Sequence, residues 1–367
     1  MARRFFETGL LFLARSIAPR GIIFWTLFLA FSTLSAEPYI AMREGLKCAQ
    51  CHVNKTGGGK RTPYGLIFSQ NFLPMKSVSV EGQPALFDGR LNEFISTGAN
   101  LRVTGVSLFE YASPAGDQVE SSSSIQLTEA DVYLQVDLVK DFLTLYLDEI
   151  VSPSALNRES FGMVTMEPLG AYVKAGRMLL PYGLRLLDDD AFVRDRTGYS
   201  FNRHDVGIEV GITPGPCLAV ANVTNSRLTL LGSATYRRFT LGGSYGQSTE
   251  QGDDFTVGAF GGTTLRPFTF LGEVDLIREG EIDQIALLAE IDCLVRTGLN
   301  AKFTYEFFDR NRDVANSRDG QERFTIGVEP FLTQFLQAGL FYRINRFIPQ
   351  GLSPNQDSLI LQIHTFF

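Results

Sequence analysis

The feature that most constrains this chain is an alternation of apolar and polar residues, renewed segment after segment from about Asn92 to Phe367. Ala130, Val132, Leu134, Val136 and Leu138 alternate with Glu129, Asp131, Tyr133, Gln135 and Asp137. Ile285, Leu287, Ala289 and Ile291 alternate with Gln284, Glu290 and Asp292, and Phe270, Val274 and Leu276 stand against Glu273 and Asp275. Successive side chains of a strand point to opposite faces, so a period of two sorts each segment into an apolar face and a polar one. No stretch of this region carries a helical period.

A soluble sandwich also alternates, but the segment separators point elsewhere. Tight joints occur at Lys140–Asp141, Pro214–Pro216, Arg237–Arg238, Arg266–Pro267 and Thr333–Gln334. Between them lie longer polar stretches at Ser113–Ser124, Ser152–Ser160, Gln247–Asp254, Asp309–Gln321 and Arg346–Asp357. Short turns at one end and long loops at the other characterise outer-membrane barrels. The last segment puts Leu359, Leu361, Ile363, Thr365 and Phe367 on one face and Ile360, Gln362, His364 and Phe366 on the other. A terminal strand ending in Phe resembles the signal that the barrel-insertion machinery reads. In lipid every backbone group must be satisfied within the sheet, which demands closure. The expected fold class is therefore all-β: an outer-membrane antiparallel β-barrel of about 16 strands, an even number as such barrels require. Met163–Arg185 is the least regular part of the count. Both termini are expected in the periplasm, with the long loops outside.

Three segments are expected: a signal peptide over 1–36, a haem-binding plug over 37–84 and the barrel over 85–367. Arg3, Arg4, Arg15 and Arg20 precede an apolar run from Gly21 to Phe31, and small residues follow up to Ala36. A basic start, apolar middle and small-residue end read as a secretory leader. A membrane anchor is the alternative, and the run is short for one, which needs roughly 20 residues. Cleavage takes the formal charge from −7 to −10, since four Arg and one Glu go with the leader. An acidic exported chain is a poor nucleic-acid binder.

The chemistry lies at Cys48-Ala49-Gln50-Cys51-His52. C-x-x-C-H is the attachment motif of c-type haem. Its two thiols form thioethers to the vinyl groups, and the adjoining His52 serves as proximal ligand to the iron. A zinc site would want further Cys or His nearby, and none occurs between Val53 and Asn202. Gly57, Gly58 and Gly59 follow, able to fold the backbone tightly against a flat ring. Lys60 and Arg61 are candidates to pair with the haem propionates, or belong to a solvated linker. The plug is too short to build a haem core alone, so it is expected to borrow the barrel's inner wall. For the distal ligand, His364 and Met75 come first among Met42, Met75, Met163, Met166, Met178, His204 and His364. His364 has inward parity near the periplasmic end, and Met75 is the nearest downstream Met. Cys217 and Cys293 are expected to stay unpaired.

Parity also assigns the lumen. Glu129, Asp131, Asp137, Asp148, Asp205, Glu209, Glu273, Asp275, Glu290, Asp292, Glu306 and Glu329 face inward, against Arg102, Lys174, Arg203, Lys302 and Arg343. Such an acidic tube would favour cations.

Two resemblances follow. Ala171-Tyr172-Val173-Lys174-Ala175-Gly176-Arg177, continuing through Leu180-Pro181-Tyr182-Gly183-Leu184, resembles the phosphate-selective porins. Arg43-Glu44-Gly45-Leu46-Lys47 before the haem motif, with Pro63-Tyr64-Gly65 and Phe68 after it, is similar to the fused cytochrome–porin family, which includes iron(II) oxidases. That resemblance implies one covalent haem c in a barrel, passing electrons between an extracellular donor, such as Fe(II), and a periplasmic electron-carrier cytochrome. The alternative is a cation-preferring diffusion porin whose haem-bearing segment is a plug or redox gate.

Overall fold

The computed structural model describes residues 38–111, 118–186, 188–250, 254–314, 319–348 and 355–367. The expected leader lies outside them. Three short helices come first: α1 (Pro38–Glu44), α2 (Cys48–Cys51) and α3 (Pro63–Phe72). Sixteen strands then close into one antiparallel barrel. They are β1 (Ile95–Tyr111), β2 (Gln118–Val139), β3 (Leu143–Ser152), β4 (Leu156–Met166), β5 (Ala171–Leu179), β6 (His204–Ile212), β7 (Cys217–Thr224) and β8 (Arg227–Tyr236). The second half is β9 (Phe239–Ser248), β10 (Phe255–Leu265), β11 (Phe268–Glu279), β12 (Ile282–Arg296), β13 (Leu299–Asp309), β14 (Gly320–Thr333), β15 (Leu336–Ile348) and β16 (Asn355–Phe366). Each strand pairs with the next, and β16 pairs back to β1, from Asn355 opposite Tyr111 to Phe366 opposite Asn100. Closure leaves no sheet edge.

The two faces sort as the alternation requires. Val132, Leu134, Leu138, Leu276, Ile291, Leu359, Leu361 and Ile363 are exposed on the outer surface. Exposed apolar side chains all round a closed sheet suit lipid, not water. Among the described residues no helix is long and apolar enough to cross a membrane; the strands cross it. Of the expected inward acids, Asp137 and Asp205 are half-buried and the other ten are buried. Of the expected bases, Arg102, Lys174, Lys302 and Arg343 are buried. Arg203 departs from expectation: it precedes β6 and is exposed.

The polar stretches are not all loop. Strand β2 already runs from Gln118 and β4 from Leu156, and the hydroxyls of Ser107 and Ser123 hydrogen-bond across β1 and β2 at 2.9 Å. Polarity marks where lipid ends, and a strand can continue beyond that point into water. Two joints at the long-loop end are also tight, at residues 225–226 and 280–281.

The largest departure is the connection from β5 to β6, which turns into the lumen and carries the one-turn helix α4 (Phe192–Asp195). Its Tyr182 and Tyr199 rings stack at 4.2 Å, and the Tyr182 hydroxyl donates to Asp275 at 2.9 Å. The Leu184 and Phe192 amides donate to Glu273 at 2.9 Å and Glu306 at 2.8 Å. Arg194 pairs with Glu273, and Asp188 with Arg343. Ala191, Phe192 and Val193 pack with Leu231, Phe260, Leu271 and Phe308 in one apolar cluster. A polar barrel interior thus acquires an apolar core from a loop.

Candidate functional site

The segment before β1 runs along the barrel's short-turn end and reaches into its mouth. Helix α1 buries Tyr39, Met42 and Arg43 against β10 and β11. Gly45, at φ +68°, passes directly under the Arg237 carbonyl, where a Cβ would not fit. Lys47 then ties the chain to the β6–β7 turn, donating to the carbonyls of Gly215 at 2.7 Å and Thr213 at 3.3 Å.

Helix α2 is a single turn. The Lys47 amide donates to the Gln50 side chain at 2.8 Å, and the His52 amide to the Cys48 carbonyl at 3.0 Å. Residues three and four apart share a helical face, so this turn presents Cys48, Cys51 and His52 together. Among the described residues no group of three or more Cys, His, Asp and Glu side chains converges as a metal site. A hairpin-like return follows: His52 bridges Arg61, and the Val53 amide donates to the Lys60 carbonyl at 3.0 Å. Its tip holds Gly57, Gly58 and Gly59 at φ +95°, +82° and +63°, a backbone region that L side chains enter at a cost. A Cβ on Gly57 would stand 3.4 Å from the Cys48 sulfur, and one on Gly58 2.5 Å from the Phe201 ring. The glycines let the tip pass between the cysteine turn and the lumen loop. Asn54 docks this tip on the wall, donating to Glu159 at 3.0 Å. Helix α3 starts at the Thr62 cap, whose hydroxyl accepts from the Gly65 amide at 3.1 Å, and Gly65 lets it press against the Cys51 backbone.

Cys48, Cys51, His52, the three glycines and Arg61 open onto one cavity, with about 1750 Å³ of space free of protein atoms, part of it open to solvent. Met42, Leu46, Phe68, Leu184, Leu231 and Phe260 supply its apolar wall, and Lys47, Arg158 and Arg185 its other cations. Burial pushes both thiols up, while Arg185 draws Cys48 back and Arg61 draws Cys51 back. Burial, helped by Arg61, pushes the His52 imidazole down to about 4. His52 is therefore neutral near pH 7, the form that binds a metal, and its Nδ1 is buried without a hydrogen-bond partner.

The expected site residues separate into two groups. Cys48, Cys51, His52, Arg61 and His364 meet at the cavity; Lys60 and Met75 do not. Lys60 is buried against the wall, its ammonium donating to the Arg61 carbonyl at 3.2 Å and Gln135 at 3.4 Å. Met75 lies on the far side of α3, against Gly298, its amide bound to the Phe331 carbonyl at 2.7 Å. The methionine in the cavity wall is Met42. His364 is held at both ring nitrogens, by Gln337 at 3.0 Å and by Asn100. Arg61 lies 4.3 Å over the Phe366 ring. Parity reasoning missed Arg158, Arg185 and Arg194. The first stands in a stretch read as loop, and the other two come from the lumen loop, whose inward turn has no periodic signal. All four cysteines are free.

The lumen is less acidic in effect than its acids suggest. Arg158 binds Glu129 at 2.8 Å, Asp131 at 2.7 Å and Asp148 at 2.9 Å. Arg102 pairs with Glu129 at 2.7 Å, Lys174 with Glu209 at 2.9 Å and Arg323 with Glu306 at 2.6 Å.

No family model and no curated sequence matches the chain. Solved structures do. The anion-selective porin from Comamonas acidovorans is similar over 74% of this chain and 100% of its own, at TM-score 0.56 and 11% identity. The outer-membrane protein OmpT of Vibrio cholerae is similar over 76% and 99%, at 0.56 and 11%. OprB of Pseudomonas putida is similar over 75% and 94%, at 0.56 and 9%. The fold is that of an outer-membrane porin. Residues 95–367, the barrel itself, make up a like share of the chain, and the porin fold leaves the cysteine-bearing segment as an addition in its mouth.

Proposed function

We propose that this protein is an outer-membrane electron-transfer protein with one covalently attached c-type haem in the mouth of a porin-fold barrel, both termini in the periplasm. The observation that carries this reading is the single helical turn that turns Cys48, Cys51 and His52 into one apolar cavity beside a tight glycine tip. The residues fit the group: two thiols at the attachment spacing, and a neutral imidazole with an orphaned nitrogen, beside a glycine tip that packs against Cys48 and Phe201. Cys48 and Cys51 would hold the haem covalently and His52 would ligate it. When bound, the haem supplies a one-electron couple whose potential follows its axial ligand and burial. The protein's part is to exclude water with Phe260, Leu231 and Leu184, and to hold the site at the barrel's short-turn end. There a periplasmic cytochrome can reach it, while an extracellular reductant acts as donor. Fe(II) as that donor rests on the sequence resemblance alone, because the lumen acids that would attract it are largely paired.

A second reading is a diffusion porin whose haem-bearing segment is a plug. The solved structures favour it, since those similar in fold are porins, one of them described as anion-selective. A haem-stained denaturing gel of the outer-membrane fraction, wild type beside Cys48→Ala/Cys51→Ala, tests the haem. A stained band at the barrel's mass that vanishes in the variant supports it, and an unstained wild type expressed with the cytochrome c maturation machinery removes it. Extracellular electron exchange that persists unchanged in the variant leaves the plugged porin.

A further inference from the structure

Arg185 stands in the cavity wall beside Cys48, and its guanidinium is buried without a direct ion pair. Its side chain is buried. Nη2 donates to the Leu180 carbonyl at 3.1 Å and to the Thr56 hydroxyl at 3.3 Å. Nε and Nη1 are buried with no hydrogen-bond partner. Among the described residues no carboxylate lies within ion-pair distance of it; the neighbouring Glu159 attracts it from farther off, its Oε1 accepting from the Asn54 side chain and the Leu179 amide and its Oε2 without a hydrogen-bond partner. Its guanidinium carbon lies 5.5 Å over the Phe201 ring. The unpartnered Nε–H and Nη1–H lie on different edges of the guanidinium, and each can donate a single charge-assisted hydrogen bond to a carboxylate.

We infer that Arg185 is the anchor for a carboxylate carried by the cavity's ligand, which, resting on the haem reading above, is a haem propionate. The role expected from sequence for Lys60 falls to a residue more than a hundred positions away. Arg61, another cation in the cavity wall, sits over Phe366 and would serve the second carboxylate.

The test is a double-mutant cycle between protein and ligand. The full chain with Cys48→Ala/Cys51→Ala, purified without haem, is titrated with haem and with haem dimethyl ester, followed by the Soret band. A charge-assisted hydrogen-bond pair predicts that haem binds about tenfold to a hundredfold more tightly than the ester. Adding Arg185→Gln should remove most of that advantage, chiefly by weakening haem and leaving the ester little changed. Arg185→Lys keeps the charge but not the guanidinium N–H groups and should retain a reduced advantage; it carries the comparison where the Gln variant yields no barrel. An advantage undiminished by either substitution overturns the inference. So does a parent with no preference for haem over its ester, including one that binds neither. The haem stain of the wild type decides the haem reading separately, so the two can fail independently.

Discussion

Gly58 sits at φ +82° with the Phe201 ring where its Cβ would be, and Phe201 in turn underlies both Arg158 and Arg185. Gly58→Ala forces a left-handed alanine, costing about 1–2 kcal/mol, and displaces that ring. We expect the barrel still to form, as shown by heat-shifted gel migration, while the haem stain per barrel falls several-fold. A full stain with unaltered protease resistance of the plug would count against the tip's role. At this scale the sequence was most legible where chemistry is local. Cys48, Cys51 and His52 declare themselves by spacing, and a three-glycine run announces a backbone that needs no Cβ. Lys60 and Arg61 were not separable, because adjacent residues of an extended segment point opposite ways. Only the bridge from His52 to Arg61 decides that Arg61 takes the cavity side and Lys60 the wall. Arg185 could not be found at all, since its position depends on a loop path.

That loop is the element whose behaviour matters most. Strands were legible because alternation is imposed by lipid on one side and polar lumen on the other, and the terminal His364–Phe366 parity holds in β16. The connection from β5 to β6 faces neither environment uniformly. Its inward course is set by partners on the opposite wall, Glu273, Asp275 and Glu306. Glu273→Ala would strand Arg194, which is 1% exposed, and release the Leu184 amide. Losing one partner of a buried pair costs about 3–5 kcal/mol, so the loop should detach locally. The expected result is new tryptic cleavage at Arg194 or Arg196 in the folded barrel; continued protection would show that the apolar cluster alone holds it. Gln334 plays the same part for the chain after α3. It accepts from the Val78 amide at 2.6 Å and donates to the carbonyls of Val78 at 2.8 Å and Ala85 at 3.2 Å. Gln334→Ala should free this stretch, read as faster trypsin cleavage at Lys76 with barrel stability unchanged.

For the molecule as a whole, net charge was a poor guide to the lumen. The sequence carries more acids than bases, yet Arg158 alone engages three inward carboxylates. Any ion preference must therefore come from what blocks the tube. Among the described residues two bodies occupy the lumen: the β5–β6 loop, and the segment that enters at the short-turn end. The plug is fastened by contacts that do not involve the cysteines, namely Lys47 on the β6–β7 turn, Asn54 on Glu159 and Gln334 on Val78. On the proposed reading, closure and haem attachment would then be separate properties. Cys48→Ala/Cys51→Ala should leave single-channel conductance in planar bilayers where the wild type has it, whereas removal of residues 38–84 should raise it several-fold. If the cysteine variant conducts like the deletion, the haem itself holds the plug in place, and the segment is a gate whose closure depends on its cofactor. If neither conducts more than wild type, the lumen loop alone seals the barrel, and the plug's contacts serve to position the cavity.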